Sequence, residues 1–202
     1  MQQEGKQRLF ASLHVSATAK TQLAKIQKTL ATLNKEQNIR WQSQPHMHIT
    51  VRFLGNVPTD QIPSVKQSLD QIARSIPSFK LGLDHVESIP HDDSMRILWV
   101  RPKDDTDTLP TLIQHSELAL NNFGDHKPHD TPIPHITIGR RRKTGSSINL
   151  PVSPIPSCVW RITSLDLTRS VMEHGTLEHV TIHRARFDTA LNEIRRNLPR
   201  MI

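Results

Sequence analysis

Histidine alternates with threonine in the same way twice along this chain, in His48-Ile49-Thr50-Val51 and His135-Ile136-Thr137-Ile138. Alternate side chains of a β-strand share a face, so His48 projects beside Thr50 and His135 beside Thr137. Each pair sets an imidazole that titrates near neutrality next to a hydroxyl able to donate to a phosphoryl oxygen. Two copies suit a reaction that needs a base on one side of a phosphorus atom and an acid on the other.

The bare pattern is not selective. Five His-x-Thr triplets occur, starting at His48, His129, His135, His174 and His179, where chance alone gives roughly one. His129 and His174 lie in turn-like sequence, with Asp130 and Gly175 in the middle. His179-Val180-Thr181-Ile182 alternates like a strand and is the serious competitor. Context separates the other two. His48 and His135 each follow a proline closely (Pro45, Pro134), and each follows a helix start at nearly one range: 30 residues from Thr18 and 29 from Thr106. His179 has neither feature and reads as a strand histidine facing solvent or a neighbouring strand.

The elements that must carry these residues follow from periodicity. Residues 9–15 read as a strand, after which Ser16 or Thr18 can cap a helix with Leu23, Ile26, Leu30 and Leu33 on one face. The first signature strand spans about 47–54. Pro58-Thr59-Asp60 starts a second helix, with Ile62, Val65, Leu69, Ile72 and Ile76 at helical spacing. Strands are expected over 79–86 and 96–100, around the turn-rich Pro90-His91-Asp92-Asp93-Ser94, and a third helix over 108–123, with Pro110 tolerated in its first turn. The second signature strand is followed by a basic loop at Arg140-Arg141-Arg142-Lys143 and a proline-rich connector at Pro151, Pro154 and Pro156. Two strands near 159–168 and 177–187 close the sheets. Duplication of one helix-loop-strand unit places the like strands about a pseudo-twofold cleft.

Composition narrows the class. The chain has 202 residues, 26 Lys+Arg against 19 Asp+Glu, a formal charge of +7 and 35% hydrophobic residues, with mean hydropathy −0.48. This describes a globular protein whose basic surface favours polyanions. The single Cys158 excludes an intramolecular disulfide framework and fits a reducing compartment. Neither a signal-peptide pattern at the N-terminus nor an apolar run of membrane-spanning length is present, so a cytoplasmic protein with no membrane partner is expected.

The paired motifs resemble those of the 2H phosphoesterase superfamily, and within it the RNA 2',3'-cyclic phosphodiesterases, historically called 2'-5' RNA ligases. The likeness extends from Arg8-Leu9-Phe10-Ala11 through the first motif with its Leu54-Gly55 exit. It continues through Arg96-Ile97-Leu98-Trp99-Val100, the second motif with Gly139-Arg140, and the late hairpin around Leu165 to Ser170 and Gly175. The chain departs from the family in two places. Asp84-His85-Val86-Glu87-Ser88-Ile89-Pro90 replaces a glycine-rich turn, and the late hairpin lacks a tyrosine it often carries.

The resemblance implies an α+β fold of two pseudo-symmetric lobes, each an antiparallel sheet with helices on its outer face, and an active-site cleft between them. One bilobal domain would span 1–188, with motifs at 48–51 and 135–138 and a basic tail at 189–202 whose Leu191, Ile194 and Leu198 keep helical spacing. The implied activity is opening of a terminal 2',3'-cyclic phosphate on RNA or an oligonucleotide to a 2'-phosphomonoester, with reversible 2'-5' ligation as the reverse reaction. His48 would then be the proton donor and His135 the proton acceptor. Thr50 and Thr137 would bind the phosphate; strand alternation puts Arg52 on the face of His48 and Thr50, where it adds a cation to the phosphate or takes a surface role. No metal, cofactor or obligatory protein partner is implied, and a monomer is expected. Arg140 would point to the opposite face unless a bulge intervenes, and the basic run is either solvated or a contact for RNA backbone. Trp41 can stack on a base, although core packing suits it, Trp99 and Trp160.

Three other readings compete. His46 and His48 could ligate a metal with His85, His91, His126 or His129, yet no carboxylate or cysteine recurs at zinc spacing. A non-catalytic module could bind RNA ends. The same chemistry could also act on another cyclic nucleotide or a 2'-5' linkage.

Overall fold

A computed structural model describes residues 5–90, 95–127, 132–142, 148–150, 155–173 and 175–188. The described residues form nine strands and three α-helices: β1 (Lys6–His14), α1 (Ala17–Leu33), β2 (Ile39–Trp41), β3 (His48–Pro58), α2 (Ile62–Ser75), β4 (Phe79–Pro90), β5 (Met95–Lys103), α3 (Thr108–Ala119), β6 (Ile136–Arg142), β7 (Val159–Ile162), β8 (Ser164–Glu173) and β9 (Thr176–Arg186). The expected α+β architecture is present as two halves of one curled antiparallel sheet. Its order is β7-β4-β5-β6-β3-β1-β8-β9, with β2 on the outer end of β6. The two halves meet at a single residue pair, Ile49 opposite Ile136.

The curl follows from connectivity. β7 and β8 are separated only by Thr163, yet five strands lie between them in the sheet. The two ends of the sheet must therefore approach each other, and Pro77, just before β4, bridges Asp188, just after β9, across that seam. The strand expected over 159–168 thus breaks at Thr163, where the chain passes from one half to the other. β2 was not expected.

Helices cover the convex face. Ser16 caps α1, its hydroxyl accepting from the Ala19 amide at 3.2 Å, and Ala19, Leu23, Ile26 and Leu30 are buried. α2 buries Ile62, Val65, Leu69 and Ile72, and such residues each gain about 1.5–3 kcal/mol from leaving water. The two halves exchange helices. α1 precedes β3 in sequence but packs on β6, whereas α3 precedes β6 and packs on β3. No described helix is long and apolar enough to cross a membrane. The predicted tail 189–202, with His91, His129, His174 and Lys143, lies outside the described residues.

Arg52 corrects an expectation. β1 pairs Ser12 with Thr50 and Ala11 with Arg52, so Val51 is an extra residue in β3. A bulge reverses the alternation beyond it, and Arg52 turns away from His48 and Thr50 into the protein. There it is 1% exposed. Its Nε meets Glu117 of α3 at 3.0 Å, and its Nη atoms donate to the carbonyls of His126 at 3.0 Å and Lys127 at 3.3 Å. Arg52 therefore fastens β3 to α3 and to the approach of the second motif instead of facing a phosphate. Truncating one partner of such a buried pair leaves the other charge uncompensated. Arg52→Ala is expected to lower unfolding free energy by about 3–5 kcal/mol, read from urea denaturation. Unchanged stability would return Arg52 to the surface role.

Candidate active site

The Ile49–Ile136 pair is fully buried on the convex side. Antiparallel register around it sets His48 opposite Thr137 and Thr50 opposite His135, all on the concave face. The two histidines occupy a diagonal of this square, a separation of about 7–8 Å between backbones, which leaves room for one tetrahedral phosphate between the rings.

Both rings are held the same way. The Nδ1–H of His48 donates to the carbonyl of His46 at 2.8 Å, and that of His135 to the carbonyl of Ile133 at 2.9 Å. Each bond fixes the proton on Nδ1 and makes Nε2 the acceptor nitrogen of the neutral ring. In His48 this nitrogen accepts from the Thr50 hydroxyl at 3.2 Å. Each ring also rests on an aromatic side chain, His48 on Phe10 with centroids 4.9 Å apart and His135 on Trp99 at 4.3 Å. Trp99 is anchored in turn, its indole N–H donating to Glu87 at 2.7 Å. It is therefore a wall of the site as well as a packed residue. Trp41 packs against Gly139 and the core, and Trp160 is buried with its N–H on the His14 carbonyl.

A second bulge brings Arg140 in. β5 pairs Trp99 with Thr137 and Leu98 with Gly139, so Ile138 is the extra residue in β6. Its carbonyl accepts from the Gln27 side chain of α1 at 2.8 Å and from the Gln42 amide at 2.9 Å. Past it, Arg140 moves to the face of His135 and Thr137, exposed and donating to Gln42 Oε1 at 3.0 Å. The expected basic loop thus begins as strand, with Arg141 buried on the other side and bonded to Gln37.

The sequence reading missed His179. The β8–β9 hairpin carries it over the cleft, where its ring stands edge-on to His48 at 5.3 Å, to His46 at 5.1 Å and to Phe10 at 5.1 Å. Ser170 lies 3.4 Å from its Nδ1, and Glu178 meets His46 at 3.2 Å. Nothing local to His179 marks this position, because it depends on register between strands far apart in sequence. Of the histidines considered for a metal, His85 is bound to Asp84 and Glu87 and His126 stands edge-on to Phe53. Among the described residues no three His, Cys, Asp or Glu side chains converge to hold an ion.

Burial pushes the His48 pKa down to about 4, assisted by the nearby charges of His179, His135 and Arg140 against the opposing His46 carbonyl. Burial and His46 also lower His179. At neutral pH His48 is therefore uncharged in the free protein, facing a site rich in cationic groups and poor in anions. This is a site prepared for an anion.

A curled antiparallel sheet presents two histidine–threonine pairs across one cleft. Residues 13–99 match the family described as LigT like Phosphoesterase. The RNA 2',3'-cyclic phosphodiesterase of Methanocaldococcus jannaschii is 28% identical over 133 residues, covering 66% of this chain and 70% of that protein. The enzyme of that name from Thermotoga maritima is 29% identical over 133 residues, 66% and 69%. Among solved structures, E. coli LigT complexed with 3'-AMP superposes with a TM-score of 0.74 at 19% identity, covering 90% of this chain and 98% of that one. TT0787 of Thermus thermophilus gives 0.72 at 16% identity, covering 89% and 97%.

The depressed His48 value has a direct test. In the free protein the His48 ring signal is expected to titrate near pH 4 by NMR, and to move upward on addition of inorganic phosphate, because an adjacent anion favours the imidazolium. His179→Ala is expected to raise the midpoint as well. A midpoint at the ordinary histidine value, indifferent to phosphate, would contradict the burial argument.

Proposed function

We propose that this protein is a metal-independent RNA 2',3'-cyclic phosphodiesterase. It hydrolyses a terminal cyclic phosphate to a 2'-phosphomonoester with His48 and His135 as the acid and base. The observation that carries the reading is the square of side chains around Ile49 and Ile136, with both Nδ1 protons tied to carbonyls. The names of the curated relatives support the substrate class.

The step requires in-line attack. Water adds to phosphorus opposite the P–O3' bond and gives a proton to His135 Nε2. The P–O3' bond breaks, and O3' takes a proton from His48 Nε2, leaving a free 3' hydroxyl and a 2'-phosphomonoester. The Thr50 and Thr137 hydroxyls and Arg140 stabilise the non-bridging oxygens as charge shifts onto them. Reversal exchanges the roles, with a ribose hydroxyl in place of water giving 2'-5' ligation. His48 is neutral when the cleft is empty, so its proton and the anionic substrate arrive together. The phosphate raises the very pKa that burial lowered.

The depressed His48 value also favours a second assignment, in which His48 accepts from water and His135 donates to O3'. The two are separable. His48→Ala and His135→Ala are each expected to lower hydrolysis of cyclic-phosphate-ended RNA by about 10²–10⁴-fold while the protein stays folded. An aryl ester of a nucleoside 2'-phosphate, whose leaving group departs without a proton, should restore turnover in the acid-deficient variant alone. Rescue of His48→Ala fits the first assignment and rescue of His135→Ala the second. Near wild-type turnover of cyclic-phosphate-ended RNA by either variant would reject the paired mechanism.

A further inference from the structure

The concave face continues past the two motifs into a second basic cavity. From His48 the sheet register leads to His14 on β1. One row along, it runs from Thr50 to Ser12, Asp166 and Arg184 across β3, β1, β8 and β9. Ser164 and Arg186 pair at the end of the same hairpin. His14, Thr163, Ser164, Arg184 and Arg186 line a cavity of about 290 Å³ there. With strands about 4.8 Å apart, its centre lies on the order of 10 Å from His48.

Its chemistry is that of an anion site. Asp166, 5% exposed, is the acid beside it, and both its oxygens are occupied. Arg184 donates Nε and Nη2 to them at 2.9 and 2.8 Å, and the Ser164 hydroxyl adds a bond at 3.1 Å. The pair uses two of the five donors of a guanidinium and fixes its plane, which leaves an oriented fork for a ligand. Burial lowers the His14 pKa, and Asp166, Arg184 and Lys20 all lie within its electrostatic reach, Asp166 opposing the other two. Arg186 is exposed at the rim. With Asp166 neutralised by Arg184, Arg186 and Lys20 remain as cationic charge next to His14.

We propose that this cavity holds a second phosphate of the substrate, so that the preferred substrate carries at least two phosphates instead of the cyclic one alone. The inference rests on the cyclic phosphodiesterase reading. The second phosphate has two sources: the internucleotide phosphate of an oligonucleotide and a 5'-phosphate on a single nucleotide.

Three substrates compared at one salt concentration distinguish them: a nucleoside 2',3'-cyclic phosphate, its 5'-phosphorylated form, and a dinucleotide ending in the cyclic phosphate. The dinucleotide, the 5'-phosphorylated form or both are expected to exceed the first in kcat/KM by roughly ten-fold or more, the effect of one charge-assisted contact. Arg186→Gln, an exposed change that spares the Arg184–Asp166 pair, should bring that ratio towards one and make the salt dependence shallower. Whichever substrate shows the gain identifies the source. Equal kcat/KM on all three, or a ratio unmoved by Arg186→Gln, overturns the second-phosphate site while leaving the hydrolytic reading intact. Turnover of none of the three overturns the cyclic phosphodiesterase reading, and the site with it.

Discussion

One antiparallel pairing, Ile49 with Ile136, holds the two halves of the sheet together and fixes what the cleft can do. Side chains alternate with a period of two, so burying this pair on the convex side forces its four neighbours onto the concave side. A slip of one residue in either strand would bury a histidine and expose an isoleucine. The hydrophobic cost of that slip sets the register, and the register sets the separation of the rings. Gln27 of α1 and Arg52 with Glu117 of α3 then brace the two strands from behind.

The electrostatics follow from the same arrangement. Gathering His48 and His179 against Phe10, with Arg140 across the cleft, removes water from both imidazoles and sets cationic groups near them. Both effects disfavour charge on His48. An anionic phosphate beside the ring opposes both, because its charge favours the imidazolium.

The paired motifs, the face of α2 and the Ser16 cap were legible because each is a local pattern of residue types. What was not legible depended on extra residues and distant partners. Val51 and Ile138 are ordinary β-branched strand residues, yet each forms a bulge. One bulge removes Arg52 from the cleft and the other brings Arg140 into it, the reverse of strict alternation in both cases. His179 fitted a strand at sequence level, and only the β8–β9 register places it on His48. The exchange of α1 and α3 between halves is a matter of topology, invisible to the helical period that predicts each helix well.

The central claim is that two rings, set by one pairing, address a single phosphorus from opposite sides. A crystal structure of the protein with a nucleoside 2'-phosphate, the expected product, tests it directly. The account predicts His48 Nε2 and His135 Nε2 each within about 2.7–3.2 Å of oxygens of one bound phosphate or its neighbouring 3' hydroxyl, with the Thr50 and Thr137 hydroxyls on the remaining oxygens. A phosphate held by one ring while the other lies beyond bonding reach would contradict it.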